Sequence, residues 1–371
     1  MEAAKSEQSR KITRFVVLGG YLGAGKTTLA TALAKELRDR RGLSVAIITN
    51  DQGNVLVDTE FVKNAGFDVR DVMGGCFCSN FDQFVKNARS LVQMSRPDVI
   101  IAEPIGTSTN ILSSVVMPLR TMYPDEFEVA PLMIVLDGTR ASQLLQRSTG
   151  LGLGGGRLIP SHQVQEAEYV LISKADQLST EQVQAAVDKV KQDVPDVQVL
   201  PCSSHSGINI AKVAEVIASG QKSEKAPRAV DQKLFALEKA SMGWYNANAI
   251  IRAEERVDLY DLVTSLMREV ANRFDPESIA HVKVLVQSPK VAAKMSLVMD
   301  SLQVDGIRGG RYLTEEGKLV VNARISASPQ QLQEAFSKAI TDVTAKLGIT
   351  VDGFSEVFFK PKPETPDHFL K

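Results

Sequence analysis

The sequence predicts an α/β fold, in which a mostly parallel sheet with helices on both faces precedes a smaller α+β domain. Two observations support this order. Short apolar runs in the first part, such as residues 13–18 and 99–102, are hydrophobic on both faces and are separated by stretches long enough for helices. Beyond residue 234, apolar and polar residues alternate, which is typical of strands with one buried face.

The first part begins with a βαβ unit. Residues 13–18 form an apolar run that ends in glycines, a helix is predicted from Lys26, Gly42 is placed to end that helix, and residues 44–49 predict the second strand. Further buried strands are predicted over residues 99–102, 132–136 and 169–172. The resulting pattern is that of a sheet whose strands alternate with helices.

The second part predicts two one-sided strands, near residues 280–286 and 319–325, and two amphipathic helices on one face of a mostly antiparallel sheet. Ser328 and Gln331 form a predicted capping box at the start of the second helix. The predicted divisions of the chain are a flexible N-terminus over 1–12, a first domain over 13–220, a linker over 221–233, an α+β domain over 234–360 and a tail over 361–371.

Composition narrows the function classes. The 371 residues carry a formal net charge of -1, which gives no general attraction to nucleic acid or to anionic lipid, so neither is an expected partner. Three cysteines do not make a disulfide framework, and a reducing compartment fits them best. No signal peptide or membrane helix is recognised, so we expect a cytoplasmic protein.

A phosphate-binding motif follows the first strand. Residues 20–27 match G-x-x-x-x-G-K-[ST] between a predicted strand and a predicted helix. Backbone N–H groups and the helix N-terminus would surround the phosphates, Lys26 would bridge the β- and γ-phosphates, and the Thr27 hydroxyl would bind Mg²⁺. The residues predicted to hold the nucleotide phosphates are Gly20, Gly23, Ala24, Gly25, Lys26, Thr27 and Thr28.

Three acids are candidates for magnesium binding and catalysis. Glu103 ends the strand-like run 99–102, where phosphate-loop proteins place a carboxylate that holds magnesium. Asp51 and Asp58 lie in a polar turn after the second strand, so either is expected to bind magnesium or to orient the attacking water. Gly106 is expected to sense the γ-phosphate through its backbone N–H. The predicted catalytic set is Lys26, Asp51, Asp58 and Glu103, and the predicted magnesium ligands are Thr27, Asp58 and Glu103.

Ser173-Lys174-Ala175-Asp176 resembles the [NST]-K-x-D motif that reads guanine. The Asp176 carboxylate can accept hydrogen bonds from both guanine N–H groups, whereas adenine would leave it unpaired. Ser203 and Ser204 fall where the loop that contacts the guanine oxygen is expected. In the alternative, a P-loop kinase for a small molecule, Asp176 would be an ordinary loop acid.

Cys76 and Cys78 lie on a glycine-rich turn. Cysteines separated by one residue are not expected to form a disulfide easily, and as thiolates both can face one soft metal ion, although two sulfurs fall short of the four ligands that zinc prefers. The alternative is that they are two small buried apolar residues.

Together these motifs resemble the CobW-like branch of the CobW, HypB and UreG metallochaperone GTPases, in order and spacing over residues 13 to about 215. The resemblance implies a GTPase that binds GTP, GDP and Mg²⁺ and delivers Zn²⁺, Co²⁺ or Ni²⁺ to a client metalloprotein, with the cargo metal on Cys76 and Cys78. Ser79 departs from the family pattern Cys-x-Cys-Cys, so a metal site would need completion, for example across a homodimer. The second reading is a metal-independent GTPase chaperone that contacts a cofactor-dependent enzyme, such as a corrinoid protein, through the C-terminal domain.

Overall fold

A computed structural model describes residues 12–51, 57–73, 75–146, 158–227, 230–231, 233–361 and 365–370. The elements of the first part are β1 Thr13–Gly20, α1 Lys26–Arg41, β2 Val45–Asp51, α2 Val57–Asn64, β3 Asp68–Met73, α3 Phe81–Ser95, β4 Val99–Glu103, α4 Met117–Met122, β5 Phe127–Val129, β6 Met133–Asp137, α5 Ala141–Leu144, α6 Leu158–Glu166, β7 Tyr169–Ser173, α7 Thr180–Asp193, β8 Gln198–Pro201 and α8 Ile210–Ala218.

The remaining elements are α9 Lys233–Ser241, β9 Gly243–Ala253, β10 Val257–Asp258, α10 Leu259–Ala271, β11 Ile279–Gln287, β12 Ala292–Val298, β13 Ser301–Arg308, β14 Tyr312–Leu313, β15 Glu316–Ile325, α11 Pro329–Lys346 and β16 Ile349–Phe359. Short 3-10 turns cover Gly138–Arg140, Ala175–Gln177 and Pro276–Ser278, and a π-helical turn covers Leu112–Val116. No described helix has the length and apolar content needed to cross a membrane.

The chain divides into two compact units. The first unit comprises Met1–Asn50, Ala65–Val230 and Thr365–Lys371, and the second comprises Asp51–Asn64 and Asp231–Glu364. The α2 residues 57–64, which the sequence assigned to the first domain, therefore cluster with the second unit. Residues 365–370, which are part of the predicted tail 361–371, cluster with the first.

The first unit contains the α/β sheet predicted from the sequence. Its strand order is β3-β2-β4-β1-β6-β7-β8, with β5 also paired to β1. The β1 strand runs parallel to both β4 and β6, and β7 runs parallel to β6 and β8. Since every residue of β1 and β4 is buried, these strands are covered on both faces. The carboxyl ends of the central strands meet at one edge of the sheet, where the predicted motifs lie.

The second unit contains a six-stranded antiparallel sheet in the order β13-β12-β11-β15-β9-β16. One face packs on α10 and α11 in a continuous apolar core, where the rings of Tyr245 and Phe336 stack with centroids 4.4 Å apart. The α11 helix begins with the predicted capping box, because Ser328 and Gln331 exchange side chain-to-backbone hydrogen bonds. The α+β prediction for this part of the chain is confirmed.

The opposite face of this second sheet is also covered by a helix. Val57, at the start of α2, joins Leu285 and Val320 in a small buried cluster, and its N–H donates to Asn322 Oδ1. These strand positions alternate with those that face α10 and α11. The two helices predicted within residues 234–360 do share one face of the sheet, and the helix on the other face comes from outside that range. The covering helix comes from more than 200 residues earlier in the chain, and local periodicity does not report a contact of that separation.

Candidate functional site

The loop between β1 and α1 has the backbone geometry of a phosphate cradle. Gly23 and Gly25 have φ values of 76° and 85°, and Gly20 has a φ of 138°. These backbone conformations favour glycine, and a Cβ added at Gly20 would lie 2.3 Å from the Val135 carbonyl oxygen. The loop opens directly into the N-terminus of α1, whose first turn, which includes Thr28, carries no acidic residue. The N–H groups of the first turn and the helix dipole make this end of α1 suitable for an anion.

Lys26, Thr27 and Glu103 converge at the carboxyl ends of β1 and β4. The Thr27 hydroxyl donates to Glu103 Oε1 over 3.0 Å, and Lys26 Nζ lies 3.8 Å from the same oxygen. All three side chains are buried. The structure thus brings together a cation, a hydroxyl and a carboxylate that the sequence separates by 76 residues. Hydroxyl and carboxylate oxygens are ligands that Mg²⁺ accepts, so the residues present fit that ion.

The segment after β4 contacts the phosphate-binding loop through Gly106. A Cβ at this position would lie 2.7 Å from Leu22 Cδ2 and 2.9 Å from the Leu22 backbone nitrogen. Only glycine therefore fits without displacing the backbone of the phosphate-binding loop. The predicted sensing residue thus lies beside residues 20–27.

One hydrogen bond from the motif at residues 173–176 and one from Arg140 reach the phosphate-binding loop. The Ser173 hydroxyl donates to the Ala24 carbonyl over 2.8 Å, and Arg140 Nη2 donates to the Leu22 carbonyl over 2.8 Å. Lys174 adopts a left-handed backbone conformation, with a φ of 59°. Asp176 is exposed in the 3-10 turn that follows, so its carboxylate is accessible to a ligand.

Asp137 and Arg140 were missed by the sequence analysis. Asp137 ends β6 and its carboxylate accepts from Lys174 Nζ over 2.8 Å and from Arg140 Nε over 2.9 Å. Burial by itself raises the pKa of Asp137, but the two cations and the hydrogen bonds from Lys174 and Thr139 outweigh it and lower the pKa. The sequence did contain a signal for Asp137, because this acid directly follows the predicted buried strand over residues 132–136.

The loop after β8 is ordered by its own hydrogen bonds. The Ser203 hydroxyl accepts from the N–H groups of His205 and Ser206, and Ser204 lies in the same turn. The N–H of the preceding residue, Cys202, donates to the Ile172 carbonyl in β7. The Cys202 carbonyl accepts from the Ala175 N–H. Burial raises the pKa of the Cys202 thiol to about 12, so this thiol packs rather than reacts. Residues 203 and 204 thus lie next to the 173–176 motif.

The cysteine turn is attached to the end of β2. Asn50 Nδ2 donates to the carbonyls of Val72 and Gly75, and Asn50 Oδ1 accepts from the Phe77 N–H. Cys76 and Cys78 are buried and joined by a disulfide. The expectation that this pair would not easily form one was wrong, because the turn brings the two Cα atoms to 5.2 Å, within the ordinary span of a disulfide.

The thiolate pair expected from the sequence corresponds to the reduced form of this turn. The Ser79 hydroxyl donates to the Cys76 carbonyl over 3.3 Å, and the Cys78 carbonyl accepts from the Asp367 N–H. Over the described part of the chain, no group of three or more histidine, cysteine, aspartate or glutamate side chains is arranged to hold a metal ion.

Asp51 and Asp58, the two acids predicted to act in the 51–58 turn, differ in how much of each the structure describes. The backbone of Asp51 ends β2, but its side chain and residues 52–56 lie outside the described residues. Asp58 lies on α2 in the second unit, where its carboxylate pairs with the ammonium groups of Lys283 and Lys294, the latter at 3.0 Å. Burial opposes ionisation of Asp58, but both lysines hold its pKa well below the ordinary value. Both Asp58 oxygens are thus engaged by the second sheet.

A parallel sheet, a glycine-rich cradle at a helix N-terminus and a buried lysine, threonine and glutamate together define a P-loop nucleotide-binding protein. The family model described as CobW/HypB/UreG, nucleotide-binding domain, matches residues 14–200, half of the chain. The chain belongs to this family, and the resemblance found in the sequence motifs is confirmed.

Similar proteins include two chaperones and one solved structure. The chain is 34% identical over 98 residues to the zinc chaperone CobW of Sinorhizobium sp. This match covers 24% of this chain and 27% of that protein. The chain is also 24% identical over 193 residues to the zinc chaperone YeiR of Escherichia coli (strain K12). This match covers 51% of this chain and 55% of that protein. HypB from Helicobacter pylori in complex with nickel has a TM-score of 0.42 at 14% identity, over 58% of this chain and 93% of that one. The chain thus spans about a quarter to a half of the length of these two relatives.

Proposed function

We propose that the protein binds and hydrolyses GTP with Mg²⁺. The observation that carries this proposal is the Thr27–Glu103 hydrogen bond of 3.0 Å, with Lys26 at 3.8 Å from the same carboxylate. Thr27 and Glu103 would hold Mg²⁺, which neutralises phosphate charge when bound. Lys26 would contact the β- and γ-phosphates, and the backbone of residues 20–27 would surround the β-phosphate.

Guanine selection is proposed to depend on Asp176. Its exposed carboxylate can accept from two guanine N–H groups, and the Ser173–Ala24 hydrogen bond keeps the motif beside the phosphate-binding loop. Asp176→Asn replaces an acceptor with a donor, so it should weaken GTP binding and favour xanthosine triphosphate. Asp188→Asn, at an exposed position of α7, is the matched control. Equal affinity for GTP and ATP in the wild type would support the kinase reading instead.

Metal delivery is proposed as the purpose of the nucleotide cycle, with the reduced thiolates of Cys76 and Cys78 as the cargo site. Relatives named as zinc chaperones support this proposal. Asn50 supports a route for coupling, because it makes two hydrogen bonds to the cysteine turn and one to the end of β3, and it directly precedes Asp51. A nucleotide-dependent movement of the backbone at Asp51 would therefore be passed through Asn50 to the turn that carries both thiols.

Cobalt titration of the reduced protein tests the cargo site. The wild type should develop a thiolate charge-transfer band that changes when GTP is added, and the Cys76→Ser, Cys78→Ser double variant should not. Cys202→Ala is the matched control, because the Cys202 thiol is buried and hardly ionises. A band of equal intensity in the double variant would reject the proposed site.

The second candidate function is a metal-independent GTPase chaperone for a cofactor-dependent enzyme. The Cys76–Cys78 disulfide favours it, because neither sulfur is then a thiolate. A client that binds the protein only with GTP, and still binds in the presence of a chelator and an oxidant, would support this function. Loss of client binding on chelation would support metal delivery.

A further inference from the structure

One face of α6 carries three buried polar side chains that belong to none of the motifs described above. His162, Gln163 and Glu166 all lie on this helix, and Gln163 keeps only 1% of its surface exposed. Buried polar groups are retained where they are hydrogen-bonded, so their partners indicate what the helix holds. The partners lie in the segment that follows β4, residues 106–112.

Gln163 holds the start of this segment. Its Nε2 donates to the Gly106 carbonyl over 3.1 Å and to the Ser108 carbonyl over 2.7 Å. Because both partners are carbonyl oxygens, only the NH₂ group of the amide can face them, which fixes the orientation of the side chain. Both amide protons of Gln163 are therefore used to hold backbone that has no regular secondary structure.

Glu166 and His162 hold the end of the same segment. Glu166 accepts from the N–H groups of Ile111 and Leu112 over 3.1 Å and 2.9 Å, and His162 Nε2 lies 2.9 Å from Asn110 Oδ1. Asn110 has a φ of 55°, a left-handed conformation that asparagine tolerates better than most residues. One helix thus fixes both ends of the segment that contains the proposed phosphate-sensing glycine.

Gly106 needs this support more than another residue would. Glycine has the widest backbone freedom, yet here it is pressed against the backbone of Leu22 in the phosphate-binding loop. A hydrogen bond to the Gly106 carbonyl restricts rotation of its backbone without adding a side chain. Pre-ordering of this kind lowers the entropy cost of binding a ligand group at that place.

We propose that Gln163 is a positioning residue that holds the Gly106 backbone in the conformation that receives the outermost phosphoryl group, and so sets the preference for GTP over GDP. This inference rests on the proposed function of the same site. GDP lacks the γ-phosphate, so its affinity does not depend on this support. Loss of the Gln163 bonds should lower affinity for a GTP analogue by about tenfold, the effect of roughly one or two neutral hydrogen bonds.

Gln163→Leu tests the proposal, because leucine has a similar volume and no donor. We expect the affinity of a non-hydrolysable GTP analogue to fall about tenfold, the affinity for GDP to stay constant, and kcat for GTP hydrolysis to fall. Gln165→Leu is the matched control, since Gln165 is an exposed glutamine on the same helix, and it should behave as the wild type. If Gln163→Leu does not fold, Gln163→Met removes the donors with an unbranched side chain.

Two results would overturn the inference alone. In a wild type that binds and hydrolyses GTP, an unchanged ratio of analogue to GDP affinity in the Gln163 variant would show that the bonds do not set the preference. An equal loss of affinity for analogue and GDP would show a structural role only. A wild type that binds no guanine nucleotide would instead remove the proposed function itself.

Discussion

Asp58→Asn should destabilise the second unit, because it removes the negative charge between Lys283 and Lys294 and keeps the size of the side chain. Lys294 has 2% of its side chain exposed and lies over the Phe61 ring at 4.2 Å, so its charge has little contact with water. Removing one partner of a buried ion pair costs about 3–5 kcal/mol. Asp58 keeps 15% of its side chain exposed, so we expect a loss near the lower limit, about 3 kcal/mol of unfolding free energy.

Trp244 makes this loss measurable in the second unit alone. It is the single tryptophan of the chain, is buried, and lies in β9. For a unit of this size, about 3 kcal/mol corresponds to a fall of roughly 6–12 °C in the Trp244 fluorescence transition. Because the native pKa of Asp58 is depressed, this stabilisation is present above pH 3.8 and is lost as the pH falls. The variant should therefore have a weaker acid dependence.

Asp342→Asn is the control for this experiment. Its exposed pair with Lys338 lies on α11 in the same unit, with side chains 46% and 60% exposed, so the change should stay within about 0.5 kcal/mol. Equal melting of the Asp58 and Asp342 variants would refute the reasoning. Lost GTP hydrolysis with unchanged stability would instead support the magnesium or catalytic role predicted for Asp58 from the sequence.

Three further predictions concern the first unit. Gly106→Ala should lower kcat for GTP hydrolysis at least tenfold in a steady-state assay, because its Cβ would press on the phosphate-binding loop; unchanged kcat would contradict the contact. Asp137→Asn should weaken GTP and GDP binding equally, by about tenfold in calorimetry, since it leaves Lys174 and Arg140 without their shared carboxylate; a loss confined to GTP would contradict this. Burial raises the native pKa of Glu166 to about 7 from 4.5, so the native state binds more protons between these values and stability should fall by up to about 3 kcal/mol as the pH rises through them. Denaturant melts of Glu166→Gln should lack this fall, and the same slope in both proteins would assign it to other groups.

Local sequence signals predicted the elements that local physics determines. The Ser328–Gln331 capping box formed as expected, and α1 ends at Gly42 in a left-handed conformation. The convergence of Lys26, Thr27 and Glu103 was predictable because parallel neighbouring strands present their carboxyl ends at one edge of a sheet. The two helix ends depend only on residues close to them in the chain, whereas the convergence also depends on β1 and β4 being neighbours in the sheet.

Contacts between side chains far apart in the sequence could not be predicted from local patterns. Asp58 pairs with Lys283, which lies 225 residues later in the chain, and no pattern around residues 51–58 indicates that partner. The Asp137–Lys174 pair was also not predicted, although each residue follows a predicted strand. Spacing was also insufficient for the cysteines, since the turn geometry decides whether Cys76 and Cys78 approach each other.

Titration calorimetry of GTP in the presence of Mg²⁺, with wild type and Lys26→Ala, tests whether residues 20–27 bind the triphosphate of GTP. Lys26 lies beside Glu103 at the start of α1, where its charge would contact the triphosphate. We expect saturable binding of one GTP by the wild type, weaker binding of ATP, and no measurable binding by the variant. No heat with the wild type, or equal affinity in both proteins, would contradict this expectation.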